Sequence, residues 1–253
     1  MRTAREVSLF FERNTVQQVR NPVWMFVGLS TPLLYLLLFT PLLRGVPGFA
    51  GQGTGHVLDG FLPGILALLA FASGASAGFS TIFELQSGVL ERFRVTPASR
   101  TAILLGPILF GMVAMFVFDT VLVLVGTAFG FHLHVGGMLV LAVLLGLLMV
   151  TMAAFSTAMA ITTKEISGFA AIINGLNLPV MLLAGVLLPV ALGPLWLRTL
   201  AHFDPLYYLV VASRSLAAGH FGGSATWQAF AVLAPLCLIT VAWATAVFRR
   251  AVA

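Results

Sequence analysis

The sequence predicts an all-α integral membrane protein with six transmembrane helices. Three observations carry that expectation. Of 253 residues, 60% are hydrophobic and only 8% charged, whereas soluble domains carry about 25% charge. The mean hydropathy is +1.05. Six runs with little or no charge recur along the chain, each close to or above the roughly 20 apolar residues that cross a hydrocarbon core of about 30 Å.

Residues 1–23 come first and mix four arginines with two acids. Ala4, Val7, Phe10 and Phe11 share one helical face, with Arg5, Glu6, Glu12, Arg13 and Arg20 mostly away from it. That pattern predicts an amphipathic helix lying on the membrane surface. It is too long and too mixed for the n-region of a cleaved signal. Residues 24–253 then read as one transmembrane domain, with spans at about 24–43, 61–83, 103–129, 138–163, 167–189 and 227–248 and no internal repeat.

Orientation follows from basic residues. With the N-terminus cytoplasmic, ten Lys and Arg residues fall inside and only Arg44, Arg198 and Arg214 outside, which satisfies the positive-inside rule and puts both termini in the cytoplasm. The pI near 10.4 therefore reflects topology, and no nucleic-acid partner is expected. The external connections are a Gly-rich loop at 44–60 and a short turn at 132–137. A cytoplasmic turn falls at 162–165. Between spans five and six, the segments 195–197 and 205–212 are too apolar for free loops and too short to cross. They predict re-entrant or interfacial helices.

The stretch Glu84 to Arg100, ELQSGVLERFRVTPASR, holds two acids and three arginines between two apolar runs. As a helix it sets Leu85, Val89 and Phe93 opposite Glu84, Ser87, Glu91 and Arg94. Topology alone would call for charge but not for that apolar stripe, so a docking surface is expected. Thr96 followed by Pro97 makes an N-cap and first-turn pair for the third span.

Several patterns point to other chemistry and are weighed down by context. Gly74-Ala75-Ser76-Ala77-Gly78 matches a nucleophile-elbow pattern, which would suit a membrane-embedded lipid-modifying enzyme. That motif needs a strand-to-helix turn and a histidine in reach, whereas here it lies within an apolar helix. The same residues form GxxxG, which lets helices approach closely. His132 and His134 read as solvated turn histidines, and no metal site is expected. Cys237 has no partner cysteine, so no intrachain disulfide forms. No GxxxxGK[ST] motif occurs, so this chain does not bind ATP by a P-loop. Asp119 lies about 28 Å along span three at 1.5 Å per residue from Arg100, near the outer boundary. A carboxylate there faces protein, water or the interface, and it is a candidate for lining a route for cationic or amphipathic cargo. An ATP-independent channel or secondary transporter with Asp119 as the proton site is a further alternative, disfavoured because internal repeats and midplane charges are not evident.

The pattern Glu84, Gly88-Val89-Leu90-Glu91-Arg92-Phe93-Arg94-Val95-Thr96-Pro97-Ala98-Ser99-Arg100 resembles the signature of the ABC-2 type transport permeases, particularly the branch of the daunorubicin exporter permease. Asp204-Pro205-Leu206-Tyr207-Tyr208-Leu209 is similar to that family's Asn-Pro-Leu-x-Tyr-like external motif. Leu85-Gln86 stand where an Arg-Glu pair is common, and Asp204 where the motif has Asn. The resemblance implies a permease subunit of an ATP-driven exporter in the bacterial cytoplasmic (inner) membrane, moving hydrophobic or amphipathic substrates such as drugs, lipids or glycolipids. A polysaccharide-exporting permease of the same family is the alternative. It also implies two cytoplasmic ABC ATPase subunits, which bind ATP and Mg, and a second permease copy or paralogue. Glu84, Leu85, Gly88, Val89, Glu91, Arg92, Phe93, Arg94, Thr96 and Pro97 would form the coupling helix on the ATPase. Spans one and five would flank the substrate route, with Asn174 and Asn177 as lining candidates, and Asp204, Pro205 and Tyr207 would form the external re-entrant motif.

Overall fold

The computed structural model describes residues 12, 15–16, 22–43, 54–87, 100–186, 190, 193–220 and 222–252. Among them are eight helices with defined bounds and no strand: α1 Pro22–Leu43, α2 Thr54–Gln86, α3 Arg100–Ala128, α4 Val135–Thr163, α5 Ile166–Leu183, α6 Leu195–Ala201, α7 Pro205–Ala217 and α8 Ser224–Val252. Five of these, α2, α3, α4, α5 and α8, are long and apolar enough to cross a membrane. The described apolar stretch of α1, Phe26–Leu42, is slightly shorter. The amphipathic N-terminal segment lies almost wholly outside the described residues.

The centre of the molecule is α2. It packs most extensively on α4 and also on α3, α7 and α1, while α8 covers α4 and α7. Being enclosed on several sides, α2 is buried without a break over residues 61–67, and Val57 and Leu58 are fully buried before them. The outer helices keep large apolar side chains exposed, including Leu34, Leu38, Val117, Leu124, Leu139 and Leu238. Lipid is the solvent that suits such a surface.

Close approach of α2 to α4 depends on small residues. A Cβ at Gly74 would come within 2.6 Å of the Met149 carbonyl oxygen, and one at Gly78 would collide with Phe169 and Ser156. Ser156 Oγ seals the crossing: it donates to the Ala75 carbonyl at 2.7 Å and accepts from the Gly78 N–H at 2.7 Å. Ser76 Oγ donates to the Ser73 carbonyl in its own helix. The GxSxG residues therefore build a helix crossing.

Three boundaries differ from expectation. The external loop expected to reach Gly60 is already helical from Thr54, because Val57 and Leu58 are fully buried and extend the core beyond the charge-free run. The fifth helix ends at Leu183 instead of 189. Gly185 takes φ 67° there, the left-handed turn that glycine adopts without strain, and it ends the helix. Third, Glu84, Leu85 and Gln86 are the final residues of α2 and not the start of a separate short helix. Of these three, Glu84 and Leu85 are half-buried and Gln86 is exposed.

Candidate functional site

The charged segment of the sequence joins the end of α2 to the start of α3. Glu84 and Leu85 are half-buried and Gln86 and Ser87 exposed. Ser87 closes the helix, its N–H donating to the Phe83 carbonyl at 3.0 Å and its Oγ to that of Glu84 at 3.3 Å. Residues 88–99, which include Gly88, Val89, Glu91, Arg92, Phe93, Arg94, Thr96 and Pro97, lie outside the described residues, and α3 is helical from Arg100. The α4–α5 turn is tight: Lys164 adopts φ 56° as the C-cap of α4, and Glu165 is the N-cap of α5.

Asn174 and Asn177 are one turn apart on α5, and both are exposed, as are Gly175, Leu176, Leu178 and Pro179 between and beside them. A Cβ at Gly175 would meet nothing within 4 Å. This part of α5 thus offers two amides on an apolar helix to whatever adjoins the subunit.

Asp119 stands elsewhere. It is 6% exposed, and its carboxylate oxygens are buried without a hydrogen-bond partner among the described residues. It lines a cavity of about 180 Å³ between α2, α3 and α4. The structure therefore does not put Asp119 on the exposed face that carries Asn174 and Asn177.

The opposite end of the bundle is more tied than the sequence suggested. Asp59 accepts from the His132 N–H at 3.0 Å and lies 3.0 Å from His132 Nδ1. His134 Nδ1 is 3.0 Å from the Ala217 carbonyl. These histidines were expected to be merely solvated. They hold the α3–α4 turn to the start of α2 and the end of α7.

Arg214, counted in the sequence only as an external cation, is the main link here. Its Nε donates to the Gly60 carbonyl at 2.9 Å and an Nη to those of Gly185 and Val186 at 2.7 and 3.3 Å. One guanidinium thus joins α7 to α2 and satisfies carbonyls released where α5 ends. Burial lowers its pKa. The available signal was an arginine amid the apolar and small residues of VVASRSLAA.

Asp204 caps α7, accepting from the Leu206 N–H at 2.9 Å, with Pro205 in the first turn. Burial pushes its carboxyl up to about 6, against the lowering effect of that N–H. Tyr207 packs on His202 with ring centroids 5.2 Å apart, and the Tyr208 hydroxyl donates to the His202 carbonyl. The two short helices differ in character. Leu206, Leu209, Val210 and Leu216 of α7 are buried, whereas Leu195 and Trp196 of α6 are exposed.

The helices form an apolar bundle, with α7 capped by Asp204 and Pro205 ahead of the last helix. The pattern of the ABC-2 type transporter family matches residues 5–217. The chain belongs to the ABC-2 type transporter family. A ycf38 transport permease of Cyanophora paradoxa is 30% identical over 214 residues, covering 84% of this chain and 74% of its own. The ycf38 transport permease of Pyropia yezoensis is 26% identical over 217 residues, covering 84% and 74%. The daunorubicin resistance ABC transporter permease protein DrrB1 of Streptomyces coeruleorubidus is 28% identical over 207 residues, covering 79% and 71%. This ABC-2 protein is a membrane transport subunit rather than an enzyme, and such permeases work with ABC ATPase partners.

Proposed function

We propose that this chain is the permease of an ATP-driven exporter that moves hydrophobic or amphipathic molecules, such as drugs, lipids or glycolipids, out of the cytoplasm or inner leaflet of a bacterial cytoplasmic membrane. In this reading α1 is the sixth span and both termini are cytoplasmic. Two copies, or this chain and a paralogue, dock two ATPase subunits, which bind ATP and Mg. The observation that carries the reading is the continuity of α2: one helix of 33 residues, Thr54–Gln86, holds both the Asp59–His132 contact and Glu84. Movement of the segment after Gln86 by an ATPase therefore acts directly on the central helix of the bundle.

Coupling is proposed to run through Glu84, Leu85, Gly88, Val89, Glu91, Arg92, Phe93, Arg94, Thr96 and Pro97. An ATPase shifts the permease only if its contacts differ between the inward and outward states. Asn174 and Asn177 are proposed to line the route where α5 faces a second subunit, and Asp204, Pro205 and Tyr207 to form the external motif. Replacing Glu91, Arg92 and Arg94 together by alanine tests the coupling. The expected result is loss of substrate-stimulated ATP hydrolysis by the reconstituted complex with normal membrane insertion, and unchanged stimulation would overturn it.

A further inference from the structure

Asp119 is a buried acid to which the coupling scheme gives no role. It lies on α3 nine residues before Ala128, about 13 Å from the helix end at 1.5 Å per residue. The cavity beside it is walled by Leu66, Phe116, Leu133, Met138 and Leu141. Leu133 comes from the α3–α4 turn and Met138 from the first turn of α4, so the cavity opens near the end of that hairpin. Thr120 also lines it, but its hydroxyl donates to the Phe116 carbonyl at 2.7 Å. Both Asp119 oxygens are thus acceptors with no donor among the described residues. An apolar environment makes a carboxylate expensive unless a cation or donor joins it.

The chemistry that fits is specific. An ammonium group carries donors and no acceptor, so it can serve two carboxylate oxygens at once. The Phe116 ring in the same wall suits a cation, and the remaining apolar walls suit hydrocarbon. We propose that Asp119 and the cavity between α2, α3 and α4 form a binding site for a primary ammonium group carried on a hydrocarbon body. The site lies within one subunit, apart from the Asn174 and Asn177 face of α5. It rests on the membrane reading of α3 and not on ATPase coupling. The ammonium can come from a free amphipathic amine or from an ethanolamine lipid headgroup.

The test uses the full chain, purified in a neutral detergent, with dodecylamine and 1-dodecanol as probes and the thermal unfolding midpoint as readout. A ligand that binds only the folded state raises that midpoint. The expected result is an apparent affinity at least tenfold higher for the amine than for the alcohol. Asp119→Asn keeps the shape and should abolish that preference while leaving the response to dodecanol. Ala142→Phe, which narrows the cavity and keeps the carboxyl, should weaken the amine response and provides a second route should Asp119→Asn fail to fold. Equal responses to the two probes in the wild type, an amine preference that survives Asp119→Asn, or an undiminished amine response in folded Ala142→Phe would overturn the site. In phosphatidylcholine nanodiscs, competition of dodecylamine by added phosphatidylethanolamine assigns the site to a lipid headgroup, and lack of competition assigns it to a free amine. No ATPase is present, so failure here is distinct from failure of the coupling scheme.

Discussion

At the scale of single residues, the buried polar groups of this protein divide by whether the fold supplies them with partners. Ser156 spends its hydroxyl on two backbone groups of the neighbouring helix, and Arg214 bonds three carbonyls. Asp204 has one oxygen on the Leu206 N–H and the other buried without a partner among the described residues. That half-satisfied cap has a pH signature. Its folded carboxyl holds a proton up to about 6, against the ordinary 3.8, so the folded state binds more protons between those values. The group's contribution to stability therefore falls as pH rises from about 4 to 6 and is constant above that window. Asparagine caps helices as well as aspartate does but does not titrate. The unfolding midpoint of the wild type minus that of Asp204→Asn should decline as pH rises toward 6 and then level off. A constant difference from pH 4.5 to 7.5 would remove this account.

Elements are bounded here by local chemistry where a residue forces the backbone and by packing where none does. Pro205 with Asp204 starts α7 and was visible as residue types, whereas Gly185 ends α5 through its positive φ inside an apolar run that reads on to 189. The start of α2 was not visible either, because His56 and Asp59 interrupt the apolar run that the prediction followed. Their placement in the helix depends on a core that surrounds Val57 and Leu58 and on His132 arriving from another hairpin. The α2–α4 crossing is the most demanding contact between elements. Overpacking of a filled core costs about 1–3 kcal/mol, and Gly78→Val adds a larger side chain where a Cβ already meets Phe169 and Ser156. That variant should lower the unfolding midpoint in detergent, while Gly168→Ala, at a glycine whose Cβ would meet nothing within 4 Å, should not.

For the whole molecule, the open quantity is the number of crossings, and parity decides it. Five spans, α2, α3, α4, α5 and α8, put the chain ends on opposite sides, whereas adding α1 brings them together. Cys237 is the single cysteine, so a Cys237→Ala background permits labelling at chosen sites. Cysteines at Thr3, Ser87 and Ala253 should resist an impermeant maleimide in intact cells, while one at Gly222 should react. Labelling at Thr3 with protection at Ala253 would instead leave α1 short of a full crossing.

The sequence by itself determined the solvent, the approximate spans, the family signature and the place where charge leaves the bilayer. Composition, run length and short motifs depend on residues adjacent in the chain, and the membrane acts on each run independently. Only the tertiary structure decided that α2 is the centre, that GxxxG is a contact with Ser156, that Arg214 and the two histidines bind the far end together, and that Asp119 sits apart from Asn174 and Asn177. Those outcomes depend on which helix faces are brought together. Nearly every helix here is apolar on all sides, so hydropathy along a single helix carries little information about which face turns inward.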